Sequence, residues 1–194
     1  MPNPLLRRVP REEMNDFLKA RYDRSMKIYD DATPVEVGAN APEIFNWYYE
    51  QFYQKIFYKG RVDVVSMEML RNRLAFEHGC VYCQMGDAIA AYEVGITEEQ
   101  LKNIMNEDHP CFTPKDRAVL KFAAQMALYN NDGELTPELY AELRVHFDDG
   151  QLYNMGVAAA VLTGMAKMIF VFDIVEKDSS CAVIRRQKML DAAE

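Results

Sequence analysis

Asp63-Val-Val-Ser-Met-Glu68-Met-Leu-Arg71-Asn-Arg-Leu-Ala-Phe-Glu-His78-Gly-Cys80-Val-Tyr-Cys83-Gln-Met-Gly-Asp87-Ala-Ile-Ala-Ala-Tyr-Glu-Val94 is the stretch on which the fold reading turns. Val64, Met67, Leu70, Leu74 and Ala75 recur at steps of three and four residues, which predicts a helix over 63–78. Gly79 offers a break immediately before Cys80, and a second helix is expected over 80–94, ended by Gly95. Two helices joined by so short a break leave no room for a strand.

The same pattern extends in both directions. Upstream, 42–58 opens with Pro-Glu, a good first helical turn, and carries Ile44, Phe45, Trp47, Tyr48, Phe52, Ile56 and Phe57, enough aromatics to be buried on more than one side. Residues 31–42 hold two prolines and a glycine and read as a loop. Before it, Met14, Phe17, Leu18, Tyr22, Met26 and Tyr29 mark an amphipathic N-terminal helix. Downstream, Thr97-Glu-Glu-Gln100 is a capping box, and Thr113-Pro and Thr136-Pro each start a helix with proline at its first position. Residues 156–175 form a twenty-residue apolar run charged only at Lys167 and Asp173, long enough to cross a bilayer. The lysine near its middle favours a buried central helix or one packed at a subunit interface, with Gly156, Ala158, Ala159, Ala160 and Gly164 allowing close approach. The class expected is all-α.

Composition narrows the function. The chain has 194 residues and a formal charge of −8. Residues 1–27 carry seven basic and four acidic groups, net +3, so the rest carries −11. That balance, with no Lys/Arg block beyond a dipeptide, argues against nucleic acid as a partner. No apolar run of signal-peptide length opens the chain, so a cytoplasmic protein without a membrane partner is expected. In a reducing compartment Cys80-Val-Tyr-Cys83 reads as redox or metal chemistry. Zinc could draw on Cys80, Cys83, His109 and Cys111, but His109-Pro-Cys111 is not a zinc knuckle, so neither a metal nor a cofactor is expected. Cys111 and Cys181 read as small packing residues, and His146 as a helix-surface or packing residue.

On a helix starting near Gly79, Cys80, Cys83 and Asp87 fall on one face, and an i, i+3 pair has a Cα separation of about 5 Å, within disulfide range. The free amides of the helix start favour a thiolate, while Asp87 one turn further on opposes it. Spacing alone does not say which thiol attacks. Glu68, eleven residues before Cys80, has an ordinary reading as an ion pair with Arg71 or a partner of Asn72 on its own helix.

The run from Glu68 to Asp87 resembles the carboxymuconolactone decarboxylase and alkylhydroperoxidase D-like family, whose peroxidase members show Glu, eleven residues, Cys, two residues, Cys, three residues, His. Gly95-Ile-Thr-Glu-Glu-Gln-Leu, Phe112-Thr-Pro-Lys-Asp-Arg-Ala-Val-Leu-Lys-Phe-Ala and Leu143-Arg-Val-His-Phe-Asp-Asp resemble it too. The resemblance implies an all-α domain over 40–176, between an N-terminal helical arm (1–30) and a C-terminal helical extension (177–194), assembled as a trimer or hexamer. It implies a thiol peroxidase that reduces organic hydroperoxides and is recharged by a thiol reductant. Cys83 would attack, Cys80 would resolve the sulfenate to a disulfide, and Glu68 would deprotonate the thiol through a relay. Two positions depart from the motif: Asp87 stands at the relay histidine and Tyr82 between the cysteines. An aspartate of ordinary pKa is already an anion at pH 7, so either Asp87 is buried enough to hold a proton, or His78 takes the relay role, or the classical peroxidase activity is weak.

The same family includes a lyase branch acting on lactones of aromatic catabolism, which generally lacks the cysteine pair. An acid or base role for Glu68 and His78 on a small carboxylate or lactone is therefore the alternative expectation. Met67, Met69, Met85, Phe76 and Tyr92 are core or pocket lining.

Overall fold

The structure, a computed structural model, describes residues 2–176. Cys181 and the expected C-terminal extension lie outside the described residues. Nine α-helical segments follow a single 3-10 turn at Arg11–Glu13, and no strand occurs among the described residues.

Helix α4 (Val64–His78) is the central element and packs against α5 (Val81–Glu93), α7 (Pro114–Gln125) and α9 (Asp149–Val171). All but three of its residues are buried, so its polar side chains enter the core and must find partners there. Asp63 caps its start by accepting the Ser66 N–H. Gly79 ends it at φ 64°, where the Gly79 N–H donates to the Phe76 carbonyl and the Cys80 N–H to the Ala75 carbonyl. This paired closure needs the left-handed conformation that glycine adopts without a Cβ clash. One residue therefore separates the two helices, and Cys80 serves as the N-cap of α5.

The N-terminal helix α1 (Asp16–Tyr29) forms as its apolar spacing predicts and is capped by Asn15. The segment read as a loop contains a short helix α2 (Thr33–Gly38), because Pro34 occupies a first-turn position where its missing N–H costs nothing. The predicted 42–58 helix differs more. It begins as α3 (Pro42–Asn46) and widens over Trp47–Phe57 into a π-helix, closed by the Tyr58 N–H donating to the Tyr53 carbonyl five residues back at 2.8 Å. This geometry lines up residues five apart. Tyr48 and Tyr53 have ring centroids 5.0 Å apart, and Tyr53 and Tyr58 5.8 Å.

The expected capping box is present, Thr97 with Gln100 at the start of α6 (Glu98–Lys102), and Thr113, expected as a proline-first helix start, forms a second one with Asp116 at α7. Thr136 caps α8 (Pro137–Arg144). The long apolar helix α9 starts earlier than the apolar run, at an Asp148–Gln151 capping box, and ends at Val171. Leu152, Met155, Ala158 and Ala159 seat it in the main core. The expectation of a helix buried all round is corrected: among the described residues α4 and the π-helix cover one side of it, while Tyr153 and Val171 are exposed. The interface alternative of that expectation is not decided by a single chain. Asp173 then turns the chain at φ 54°, with its carboxylate accepting the Asn3 N–H at 3.1 Å, and brings Ile174 and Val175 back onto Cys80.

Candidate active site

The one-residue connection after α4 places the two cysteines at the first turn of α5, and they form a disulfide with Cα atoms 5.2 Å apart. Cys80 is fully buried in a small cluster with Val37, Ile174 and Val175, whereas Cys83 is partly exposed at the rim of that cluster, as are Tyr82, Ile169 and Phe170. The Cys83 N–H donates to Cys80 Sγ at 3.2 Å, so the buried sulfur also caps the helix. Of the two sulfurs, Cys83 is the one a solute reaches.

Behind the disulfide, α4 and α5 enclose a charged group. Glu68 is fully buried, and its Oε2 accepts from Arg71 Nη2 at 2.6 Å. Arg71, 6 % exposed, also faces Asp87, one turn beyond Cys83, with Nε 3.4 Å from Oδ1. One guanidinium thus stands between two carboxylates. Asn72 ties the helices together by donating from Nδ2 to the Glu68 carbonyl at 2.9 Å and to the Asp87 carbonyl at 3.3 Å. Of the two ordinary partners expected for Glu68, Arg71 meets its carboxylate whereas Asn72 meets only its main-chain carbonyl, and a second carboxylate, Asp87, shares the arginine. The π-helix roofs the group: the Arg71 guanidinium lies 5.5 Å from the Tyr53 ring centroid and 5.0 Å from that of Phe57.

These surroundings set the charges. Burial pushes Glu68 up to about 7, with Arg71 pulling it down and Asp87 pushing it further up. Burial likewise raises Asp87 to about 6 against the pull of Arg71. Desolvation works against the Arg71 charge, but Asp87, Tyr53, Glu68 and Tyr58 hold it protonated. The two carboxylates therefore ionise less readily than exposed acids, and Asp87, whose side chain keeps 16 % exposure, ionises before Glu68.

His78 lies at the end of α4, and its Nε2 accepts the Leu128 N–H at 3.1 Å. Burial depresses its pKa to about 4, so the ring is neutral. Tyr82, between the cysteines, points to α1, where its hydroxyl lies 2.6 Å from Ser25 Oγ and its ring stacks on Tyr29 at 3.8 Å. Of the expected pocket residues, Met67 and Met69 are core, while Met85 and Tyr92 are exposed. Cys111 is a free, partly buried cysteine, and its N–H donates to His109 Nδ1 at 3.3 Å. His146 packs edge-on against Phe147 at 6.4 Å. Arg71 was named in the sequence only as an ion-pair partner. Its second carboxylate comes from the next helix, which no i, i+4 rule reaches.

Residues 43–125 match the model of the carboxymuconolactone decarboxylase family. Among solved structures, a peroxidase-related protein from Ralstonia eutropha JMP134 described as an alkylhydroperoxidase AhpD core is similar over 92 % of this chain and 95 % of its own, with a TM-score of 0.71 and 15 % identity. A protein of unknown function from Agrobacterium tumefaciens, described as a candidate antioxidant-defence protein AhpD, is similar over 70 % of this chain and 91 % of its own, with a TM-score of 0.61 and 17 % identity. No curated protein matches the sequence. At these identities the two structures establish a shared helical fold.

Proposed function

We propose that this chain, whose residues 43–125 match the carboxymuconolactone decarboxylase family model, is a redox member of that family: a thiol-dependent peroxidase that reduces organic hydroperoxides. The observation that carries this reading is the Cys80–Cys83 disulfide, its outer sulfur accessible and Asp87 one helical turn away. In the reduced protein the Asp87 carboxylate takes the Cys83 proton. The thiolate attacks the terminal peroxide oxygen, the O–O bond breaks, and the leaving alkoxide takes the proton back to give an alcohol and Cys83 sulfenic acid. Cys80 then displaces the sulfenic oxygen as water, forming the disulfide, and an external dithiol returns both cysteines to thiols.

Glu68 buffers this exchange from behind Arg71, and His78 acts as a positioning residue that anchors the end of α4 to Leu128. The apolar cluster on whose rim Cys83 lies, with Ile169 and Phe170 packed against the same cluster, suits an uncharged organic peroxide. The protein works as a homo-oligomer of trimeric or hexameric order, covering the apolar side of α9.

The deciding experiment treats the reduced protein with one equivalent of cumene hydroperoxide. A two-hydrogen mass loss, reversed by dithiothreitol and abolished in Cys83→Ser, is the expected result. Thiols that survive peroxide, or full peroxide consumption by Cys83→Ser, would overturn the proposal. Turnover of a lactone by a variant lacking both cysteines would establish the lyase reading in its place.

A further inference from the structure

We propose that Arg71 is a positioning residue that joins Glu68 and Asp87 into one acid–base unit sharing a single proton, which is how an aspartate serves next to Cys83. This rests on the peroxidase reading for its kinetic consequence, though not for the existence of the unit.

The geometry supplies the link. Arg71 is too buried to meet solvent, and two of its nitrogens meet different carboxylates: Nη2 lies 2.6 Å from Glu68 Oε2 and Nε 3.4 Å from Asp87 Oδ1. A single cation cannot fully neutralise two buried carboxylates, so losing a proton from one raises the cost of losing it from the other. Glu68 Oε1 and Arg71 Nε are buried without a hydrogen-bond partner. A fully satisfied ion pair would engage both atoms; here the Glu68 oxygen remains open to a proton and the Arg71 N–H to closer approach by Asp87.

The other groups facing this unit do not compete for its proton. Tyr29 from α1, Tyr48, Tyr49 and Tyr53 from the π-helix and Tyr58 just beyond it all have burial-raised pKa values, so their phenols stay neutral. Glu93, further along α5, adds negative charge that favours retaining the proton on Glu68. Arg24 acts on Tyr29 and Tyr49 at the outer edge. On its other sides α4 meets buried apolar residues of α7 and α9, such as Val119, Ala123, Met155 and Ala159. The titrating proton is therefore held by Glu68, Asp87 or Cys83, while Arg71 stays charged between the two carboxylates. With one proton on the pair, Asp87 is free to accept from the thiol while Glu68 stays neutral, so the thiolate forms beside one net anion fewer.

Two measurements test this. In the oxidised protein, carboxyl infrared bands followed from pH 4 to 9 should show two linked titrations, and Glu68→Gln should lower the Asp87 midpoint by about one unit. An unchanged Asp87 midpoint overturns the shared-proton unit, whether or not the protein reduces peroxides. In the reduced protein, Arg71→Lys keeps the charge but lacks the fork that spans both carboxylates. Its rate of oxidation by cumene hydroperoxide should fall about tenfold at pH 6 and stay within about twofold at pH 8, as a one-unit rise in the acid limb requires. A uniform loss at every pH would assign Arg71 a merely structural role and overturn the positioning claim. Absence of any peroxide-driven oxidation in the unmodified protein, with the infrared coupling intact, would count against the peroxidase reading alone.

Discussion

Helix α4 carries two arginines and two glutamates that are almost equally buried, and the core treats the two pairs differently. Around Arg73 the bonding is dense: Nε donates to Glu77 at 2.7 Å, and Nη1 to the Ile104 carbonyl at 2.8 Å and to Glu107 at 3.1 Å, while the Tyr129 hydroxyl donates to Glu77 Oε2. Around Arg71 the bonding is sparse, with an open oxygen on Glu68, an open nitrogen on Arg71 and a second carboxylate sharing the cation. Residue type, helix and burial are common to both. What separates a brace from a working group here is how completely the polar atoms are satisfied, and the unsatisfied group is the one that lies behind the disulfide.

The largest effect expected from this contrast is on stability. Glu77→Ala leaves Arg73 buried without its main partner and should cost about 3–5 kcal/mol in urea unfolding. Any protein that stays folded should keep its rate of disulfide formation per molecule. A rate loss matching that of Glu68→Gln would erase the distinction between the two pairs.

Next comes Glu68→Gln. It should slow peroxide-driven oxidation about tenfold or more at pH 7, the lower range for losing an acid–base partner. Its effect on stability has a definite sign. Glu68 and Asp87 have folded-state pKa values above their ordinary ones, so the folded chain binds more protons than the unfolded chain between about pH 4 and 7, and their contribution to stability falls as pH rises through that window. For Glu68 the loss is at most about 3 kcal/mol. Unfolding midpoints at pH 5 and 7.5 should therefore differ less in Glu68→Gln than in the unmodified protein. An identical pH slope in the two would mean that Glu68 titrates normally.

The smallest effect concerns the outer edge of the redox turn. Tyr82→Phe removes the contact with Ser25 Oγ and should cost about 1 kcal/mol by the same unfolding assay, while peroxide oxidation stays within about twofold. A large kinetic loss would move Tyr82 from an anchor for α1 into the working group and extend the comparison to a third polar cluster.

Much of the helical order could be read from local rules. Gly79, Thr97, Thr113 and Pro137 act on residues three to five positions away, and the structure places helix ends at all of them. The closeness of Cys80 and Cys83 followed from spacing for the same reason. The parts that escaped depend on contacts distant in sequence or on ring packing. Asp87 meets Arg71 across the α4–α5 connection, the π-helix arises where aromatics stack at five-residue steps, and the exposure of α9 depends on how far its neighbours extend. Periodicity told which residues of α9 are apolar but not which of them the rest of the chain would cover.

That uncovered side of α9 has a consequence for handling the protein. In the homo-oligomer proposed above, folding is tied to self-association, so the protomer's apparent stability should depend on its own concentration. For a two-chain assembly each tenfold dilution would remove about 1.4 kcal/mol of apparent stability, a little more than the Tyr82→Phe change above. Under that proposal, melting temperatures should rise with protein concentration, and a melting temperature independent of concentration would count against it.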